Sequence, residues 1–207
     1  MLHQIAIDDL HEMVDALSAA LDAKNSYMCG HSERVAELAL RLATHMGLSS
    51  AEQNRIHIGA HLHDIGKIGI PDAILNKQGK LTEEEFAIIR QHPAIGDNIV
   101  GKLRVFHSVA DIVRHHHERF DGKGYPDGLR GHDISLGARI VAVADAFDAM
   151  TSARAYRKAF TLEQAITETR RCQGTQFDPE IVAVLVDLAA KTTLVDHEPS
   201  SAVKALA

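Results

Sequence analysis

Hydrophobic side chains recur every three or four residues along most of the chain, with polar side chains between them. This spacing places the apolar residues on one side of a helix with about 3.6 residues per turn. It predicts an amphipathic helix over residues 3–23 and a second helix that begins near Gly30. The two apolar stripes consist of Leu10, Val14, Leu17 and Leu21, and of Val35, Leu38, Leu42 and Met46.

Capping residues predict where the later helices begin. Ser49 and Ser50 can start a helix that leads into the segment from His61 to Lys67, where Gly66 and Gly69 interrupt it. An alanine-rich helix is expected from Ser135 to about Ser152. The other predicted starts are Pro71-Asp72, Thr82 with Glu85, Thr161 with Gln164, and Asp178 before Pro179.

Composition limits the classes of protein to consider. A chain of 207 residues is long enough for one domain, or one domain with a tail. It has no apolar run of about 18 residues and no signal-peptide pattern, so we expect a cytoplasmic protein without a membrane span. Cys29 and Cys172 have no partner in a CxxC motif and are expected to be free thiols. A net charge of −6 argues against general nucleic-acid binding, so an anionic substrate would need a local basic cluster.

The 14 histidines are unusual in number, and a few have spacings that indicate chemistry. His63 and Asp64 place an imidazole beside a carboxylate whose two oxygens can bridge two cations about 3.5–4 Å apart. Lys67 follows His63 by one turn if the segment is helical, so its ammonium can reach the same face. An isolated His-Asp pair is more often a solvated chance neighbour than a metal site. The interpretation therefore depends on partners elsewhere in the chain.

Candidate partners lie in four later segments. His92 precedes Pro93 at a break between helices, and His115, His116 and His117 end an apolar helix just before a glycine-rich loop. Without partners, His31 and this histidine run would be structural or solvated. Asp145 and Asp148 lie three residues apart on the alanine-rich helix, where an unpaired carboxylate costs free energy. The remaining candidates are Tyr125 in the loop, and Arg154 and Arg157, which suit phosphate oxygens.

Taken together, these segments resemble the HD-GYP domain family. The motifs that carry the resemblance are His63-Asp64-Ile65-Gly66-Lys67, His92-Pro93, His116-His117-Glu118, Asp121-Gly122-Lys123-Gly124-Tyr125-Pro126, and residues 145–152. They occur in the family's order, and the match covers roughly residues 20–180. The resemblance implies an all-α fold and a metal-dependent phosphodiesterase that hydrolyses cyclic diguanylate (cyclic di-GMP), a bacterial second messenger.

The resemblance also implies roles for individual residues. The family's metal ligands fall on His31, His63, Asp64, His92, His116, His117 and Asp145. Asp64 and Lys67 are the implied catalytic residues, and Lys67, Tyr125, Asp148, Arg154 and Arg157 the implied substrate contacts. Imidazoles and carboxylates without a thiolate suit iron or manganese first, and nickel or zinc as alternatives. His61 and His115 are additional to the motif and are expected to be structural or to support the ligands.

The family comparison predicts two metal ions per chain. One branch of the family holds a third ion with a glutamate one turn before the first ligand histidine, and Tyr27 stands at that position here. Asn25-Ser26 also departs from the acidic Asp-Pro that the family often has there, so these positions provide no carboxylate. Two ions imply the linear dinucleotide pGpG as the main product, with GMP slow or absent.

Two other functions remain as alternatives. A nucleotide phosphohydrolase of the HD superfamily would need only His31, His63, Asp64 and Asp145, and would leave the other histidines and the loop without a role. A catalytically silent sensor of cyclic di-GMP would signal through a partner protein, but it would be free to lose ligands that are all present here. We expect the catalytic domain at residues 25–192, an N-terminal helix at 1–24 that can link to an upstream module, and a disordered tail at 193–207.

Overall fold

The protein is described by a computed structural model, which covers residues 7–24, 30–153 and 158–191, without the side chains of residues 7–9, 11, 22 and 23. The described residues form helices and no strand, so the all-α prediction is confirmed. The α-helices are α1 (Ile7–Lys24), α2 (His31–His45), α3 (Ser50–Leu62), α4 (Asp72–Leu75), α5 (Glu83–Ile89), α6 (His92–Val100), α7 (Ala110–His115), α8 (Leu136–Thr151), α9 (Leu162–Arg171) and α10 (Pro179–Ala190). Three 3₁₀ segments, Ile65–Gly69, Arg104–Val109 and Gly131–Asp133, connect them.

Side-chain caps fix the beginnings of the helices as the sequence predicts. The Thr82 and Thr161 hydroxyls accept hydrogen bonds from the backbone N–H groups of Glu85 and Gln164, whose side chains accept from the threonine N–H in return. The Asp178 carboxylate accepts from the N–H of Glu180. Ser49 and Ser135 cap α3 and α8 in the same way. The predicted starts are therefore confirmed.

Two apolar clusters hold the helices around the centre of the molecule. The larger cluster packs α2 and α3 against α8 and α10, with Leu42, Ile112, Ile140 and Leu185 fully buried in it. The smaller cluster joins α1 to α3 and α7 through Val14, Leu62 and Phe106, among others. In the first predicted stripe, Val14 and Leu21 are buried but Leu17 is exposed.

The segment after α3 differs from the sequence prediction. The α-helix ends at Leu62, so His63 and Asp64 lie in a turn, and Lys67 belongs to the 3₁₀ segment Ile65–Gly69. Gly66 explains the change of course, because a Cβ on it would lie 1.8 Å from the carbonyl oxygen of His92. Only a glycine lets this segment approach the start of α6 so closely. That approach brings the segment of His63 together with His92.

Candidate metal centre

The structure gathers all seven predicted metal ligands into one place from five parts of the fold. His31 begins α2, His63 and Asp64 follow α3, and His92 begins α6. His116 and His117 follow α7, and Asp145 lies on α8. The ligand atoms form two groups, each with its atoms within 4.8 Å of one another: a first ligand group of Asp64, His92, His116 and His117, and a second ligand group of His31, His63 and Asp145.

Contacts at helix ends set the direction of three of these side chains. Three imidazoles bind the carbonyl three residues earlier through Nδ1: His63 to Ala60 at 2.6 Å, His92 to Ile89 at 2.8 Å and His116 to Val113 at 2.8 Å. A carbonyl oxygen can only accept, so each Nδ1 carries a proton and each neutral ring has a lone pair on Nε2. The Nε2 atoms of His92 and His116 lie 3.3 Å apart. Two lone pairs at that distance repel each other unless a cation lies between or beside them.

Buried polar atoms without hydrogen-bond partners also indicate a cation. His63 Nε2 and Asp64 Oδ1 are buried and make no hydrogen bond with any described residue. Leaving such atoms unpaired costs free energy, which metal coordination would recover. Five imidazoles and two carboxylates suit a divalent transition metal, and the backbone contacts at Nδ1 are those that usually orient metal-binding histidines. The residues present therefore fit metal ions.

Asp64 is the residue that contacts both ligand groups. Its Oδ1 lies 3.2 Å from His92 Nε2, while its Oδ2 lies 3.3 Å from His63 Nε2 and 4.0 Å from His31 Nε2. Burial would raise the pKa of this carboxyl, but Lys67 and His63 hold it well below its usual value. An ionised carboxylate with one oxygen toward each group has the geometry that a bridging ligand requires.

His31 differs from His116 and His117 in charge preference. Burial and the neighbouring histidines hold the pKa of His116 well below 6.5, and burial lowers the pKa of His117 to about 3. Burial acts on His31 in the same direction, but hydrogen bonds to Asp145 and Asp148 raise its pKa to about 9. Burial opposes ionisation of Asp145 as well, and the contact with His31 nevertheless lowers its pKa.

Asp148 lies behind His31. Its carboxylate accepts from His31 Nδ1 at 2.7 Å, from Arg34 Nε at 2.6 Å and from the Ser152 hydroxyl at 3.1 Å. The substrate contact that the sequence predicts for Asp148 stays a prediction, since these contacts assign its carboxylate to orienting His31. Sequence reasoning did not identify Arg34, which lies 114 residues from Asp148 and has no motif around it.

Lys67 reaches the cluster despite the 3₁₀ geometry. Its Nζ donates to Asp64 Oδ2 at 2.5 Å, and about a fifth of the lysine side chain is exposed, at 19%. The ammonium therefore lies between the Asp64 carboxylate and solvent.

The glycine-rich loop brings Tyr125 to the edge of the first ligand group. The Tyr125 and His117 ring centroids lie 5.0 Å apart, and the Tyr125–Pro126 peptide bond is cis. Gly124 is required for this course, because a Cβ on it would lie 2.3 Å from the backbone nitrogen of Arg119. Burial and then the charges of Asp64 and Asp145 raise the pKa of the Tyr125 phenol, so it stays protonated and can donate a hydrogen bond.

Two residues that the sequence did not single out hold the loop in place. Buried Glu118 accepts through Oε1 from the N–H groups of Asp127 and Gly128, at 2.7 and 3.0 Å. The Asp127 carboxylate accepts from Arg114 and from His115 Nε2 at 2.9 Å. His115 thus supports the loop, in line with the expectation for a histidine outside the motif. Glu118 stood inside the motif, but only the fold shows which backbone groups it binds.

Several predicted residues lie outside the described part of the chain. They are the substrate candidates Arg154 and Arg157, the corner residues Asn25, Ser26 and Tyr27, Cys29, and the tail from residue 193. Their predictions stay open. Cys172 is free, as expected. Among the described residues, no helix combines the length and the apolar character needed to cross a bilayer.

The chain matches the family model described as HD domain over residues 15–181, which is more than half of its length. The chain belongs to the HD domain family. A cyclic di-GMP phosphodiesterase of Thermotoga maritima is 42% identical to this HD domain over 188 residues, which are 90% of this chain and 51% of the relative. The HD-GYP resemblance that the motifs carried is thereby confirmed.

Relatives with another named substrate are almost as similar. The 3'3'-cGAMP-specific phosphodiesterase 3 of Vibrio cholerae is 40% identical over 183 residues, which are 87% of this HD domain and 40% of the relative. The crystal structure of the cyclic GMP-AMP specific phosphodiesterase V-cGAP3 from Vibrio cholerae superposes with a TM-score of 0.71 at 21% identity, covering 88% of this chain and 49% of that one. This superposition supports the fold. The chain spans about half the length of the curated relatives it matches.

Proposed function

We propose that this HD domain is a metal-dependent phosphodiesterase that hydrolyses cyclic di-GMP. The observation that supports the proposal most strongly is the pair of adjoining ligand groups with Asp64 between them. Relatives at about 40% identity are named for the hydrolysis of cyclic dinucleotides. A simple nucleotide phosphohydrolase would need only the second ligand group and Asp64, and would give no role to the buried first group.

The first ligand group would hold one metal ion and the second ligand group another, so we infer two ions per chain, with iron or manganese preferred. When bound, such ions supply Lewis-acid stabilisation of phosphoryl oxygens and activation of water for in-line attack. The protein's part is to orient four of the five imidazoles through Nδ1, with three rings against backbone carbonyls and His31 against Asp148. The inference of two ions also rests on Tyr27, since a neutral phenol is a poor ligand for a hard cation.

Lys67 acts on the leaving group in this proposal. Its ammonium lies at the solvent side of Asp64, where it can donate to a ribose oxygen as the bond to phosphorus breaks. Tyr125 supplies a neutral hydrogen-bond donor at the opposite edge of the first ligand group. We assign Arg154 and Arg157 to the substrate on the family resemblance alone. The expected product is pGpG, with GMP slow or absent.

A second candidate substrate is 3'3'-cGAMP, because relatives of nearly equal identity are named for it. The metal centre would act on the same kind of phosphodiester bond in both compounds, so it cannot discriminate between them. Discrimination would come from groups that contact the bases.

The test is a substrate panel with metal-loaded protein. Cyclic di-GMP, 3'3'-cGAMP, cyclic di-AMP and GTP are each supplied to the anaerobically reconstituted enzyme, and the products are separated by chromatography. We expect the highest kcat/KM for cyclic di-GMP, with pGpG released. Preferred cleavage of GTP would support the nucleotide phosphohydrolase instead, and tight binding of cyclic di-GMP without turnover would support the sensor.

A further inference from the structure

A guanidinium that has no carboxylate partner among the described residues lies at the edge of the candidate site. Arg90 follows the last residue of α5, two positions before His92, and is exposed. Its Cζ lies 4.5 Å from the centroid of the Phe86 ring and 5.5 Å from that of Tyr125. Tyr125 in turn lies against His117 of the first ligand group. The side chain is therefore held between two aromatic rings beside the centre.

The surroundings of Arg90 differ from those of other arginines near the centre. Arg34 is bound by Asp148, Arg114 by Asp97 and Asp127, and Arg119 by Asp121. In addition to its ring contacts, the Arg90 guanidinium makes no hydrogen bond or ion pair with any described residue. Stacking on aromatic faces leaves the N–H groups of a guanidinium, which lie in its plane, available to an acceptor.

The position of Arg90 can also be explained by local structure alone. Phe86 and Arg90 lie four residues apart at the end of α5, and such pairs often stack without any ligand. The contact with Tyr125 does not fit that explanation, because the loop that carries Tyr125 comes from a different part of the fold. The capping box of α5 fixes the beginning of the same helix, so Arg90 is presented from an ordered element.

We propose that Arg90 binds the phosphate of the cyclic dinucleotide that is not being cut. This inference rests on the proposed function. A cyclic dinucleotide carries two phosphodiesters, and one must lie at the metal ligands for cleavage. The second remains anionic and can accept from a further arginine besides Arg154 and Arg157, and charge-assisted hydrogen bonds from arginine to phosphate are among the strongest available. Stacking on Tyr125 would align the guanidinium with a substrate that contacts the same tyrosine.

The experiment compares Arg90→Ala, Arg90→Lys and Arg170→Ala, all metal-loaded and checked for fold by circular dichroism. Arg170 is an exposed arginine on α9 and serves as the control. For Arg90→Ala we expect KM for cyclic di-GMP to rise about tenfold or more with metal content unchanged. Arg90→Lys keeps the charge but loses the planar, ring-stacked donors, so it should recover only part of the loss. Arg170→Ala should match the unmodified protein.

A small substrate isolates the second phosphate. Bis(p-nitrophenyl) phosphate has a single phosphodiester, so Arg90→Ala should affect its hydrolysis far less than that of cyclic di-GMP. Equal losses with both substrates, or equal losses in the Ala and Lys variants, would overturn the assignment. So would an Arg90→Ala enzyme indistinguishable from the unmodified protein, although the proposed function would then stand.

A binding measurement separates failure of this inference from failure of the proposed function. If the unmodified protein does not cleave cyclic di-GMP, calorimetric titration of the metal-loaded protein still reports its affinity. A weaker affinity in Arg90→Ala than in Arg170→Ala would then support the phosphate contact in a sensor. Absence of both binding and cleavage by the unmodified protein would overturn the proposed function and this inference together.

Discussion

The two ligand groups of the metal centre are oriented by different kinds of contact. In the first group, His92 and His116 donate to backbone carbonyls of their own helical turns, and burial lowers the pKa of both His116 and His117. In the second group, the Nδ1 of His31 faces the carboxylate of Asp148, and the pKa of His31 rises to about 9. The contacts in the first group come from neutral local backbone, whereas the second group combines a backbone contact at His63 with an ionised carboxylate from a distant helix at His31.

This difference predicts where the centre is robust and where it is sensitive. Backbone carbonyls cannot be removed by a side-chain substitution, so the first ligand group should keep its geometry when outer residues change. In the second ligand group, the orientation of His31 depends on Asp148 and Arg34, which connect α8 to α2 across the fold. Asp64 is common to both groups, and its loss should affect the whole centre.

The largest effect is expected for Asp64→Ala, which removes the contact between the groups. We expect the variant to fold, to lose both metal ions, and to lose at least about a thousandfold in kcat, since metal binding depends on the complete ligand set. Elemental analysis and a turnover assay measure the two losses. Asp133→Ala changes an exposed aspartate and serves as the control. Normal metal content and turnover in Asp64→Ala would show that Asp64 is not a bridge.

The substitution Asp148→Asn separates the two groups. It keeps the size of the side chain but removes the charge opposite His31, so the affinity of the second ligand group should fall about 10- to 100-fold. Titration of metal-stripped protein should then show one tight and one weakened ion. If both ions were weakened equally, Asp148 would not act on the second ligand group alone, which would contradict our account.

The substitution Tyr125→Ala tests the open edge of the first ligand group. Tyr125 contacts His117 by its ring and provides no metal-binding atom at neutral pH, so we expect metal content to persist. Turnover of cyclic di-GMP should fall about tenfold or more in this variant. Tyr125→Phe should keep the ring contact and lose only the part of turnover that depends on the hydroxyl group. Loss of metal in the alanine variant would make the loop part of the scaffold of the site.

The smallest effect is expected for Glu118→Gln, which acts through the loop. Glutamine keeps an oxygen acceptor for the N–H groups of Asp127 and Gly128 but loses the charge that strengthens both bonds. We expect the free energy of unfolding to fall by about 1–2 kcal/mol, and KM to rise severalfold with metal content intact. Chemical denaturation and steady-state kinetics measure these changes. A loss of metal equal to that of Asp64→Ala would contradict a role limited to the loop.

The sequence predicted the ligand residues of the centre better than the residues that orient them. Capping residues such as Thr82 and Asp178 act within a few positions, so they are readable from spacing. The ligand residues were found because the HD-GYP motifs are distinctive, and the structure brings all seven of them together. Their assignment as ligands stays a prediction.

Longer-range contacts could not be predicted from spacing. Arg34 meets Asp148 only because α2 packs against α8, and Arg90 meets Tyr125 only because the loop folds back toward α5. The end of α3 at Leu62 was missed because any residue with a Cβ at position 66 would clash with the backbone of His92. No local sequence pattern records that contact. In each case the decisive partner lies far away in sequence.

The most direct test of the proposal is the dependence of turnover on the number of bound metal ions. Metal-stripped protein is loaded anaerobically with increasing equivalents of iron or manganese, and cyclic di-GMP hydrolysis is measured against the ions bound per chain. Two adjoining ligand groups that share Asp64 predict little turnover at one ion, a maximum at two, and pGpG as the product. Full turnover in the stripped protein, or a maximum at one or three ions, would contradict the two-metal phosphodiesterase.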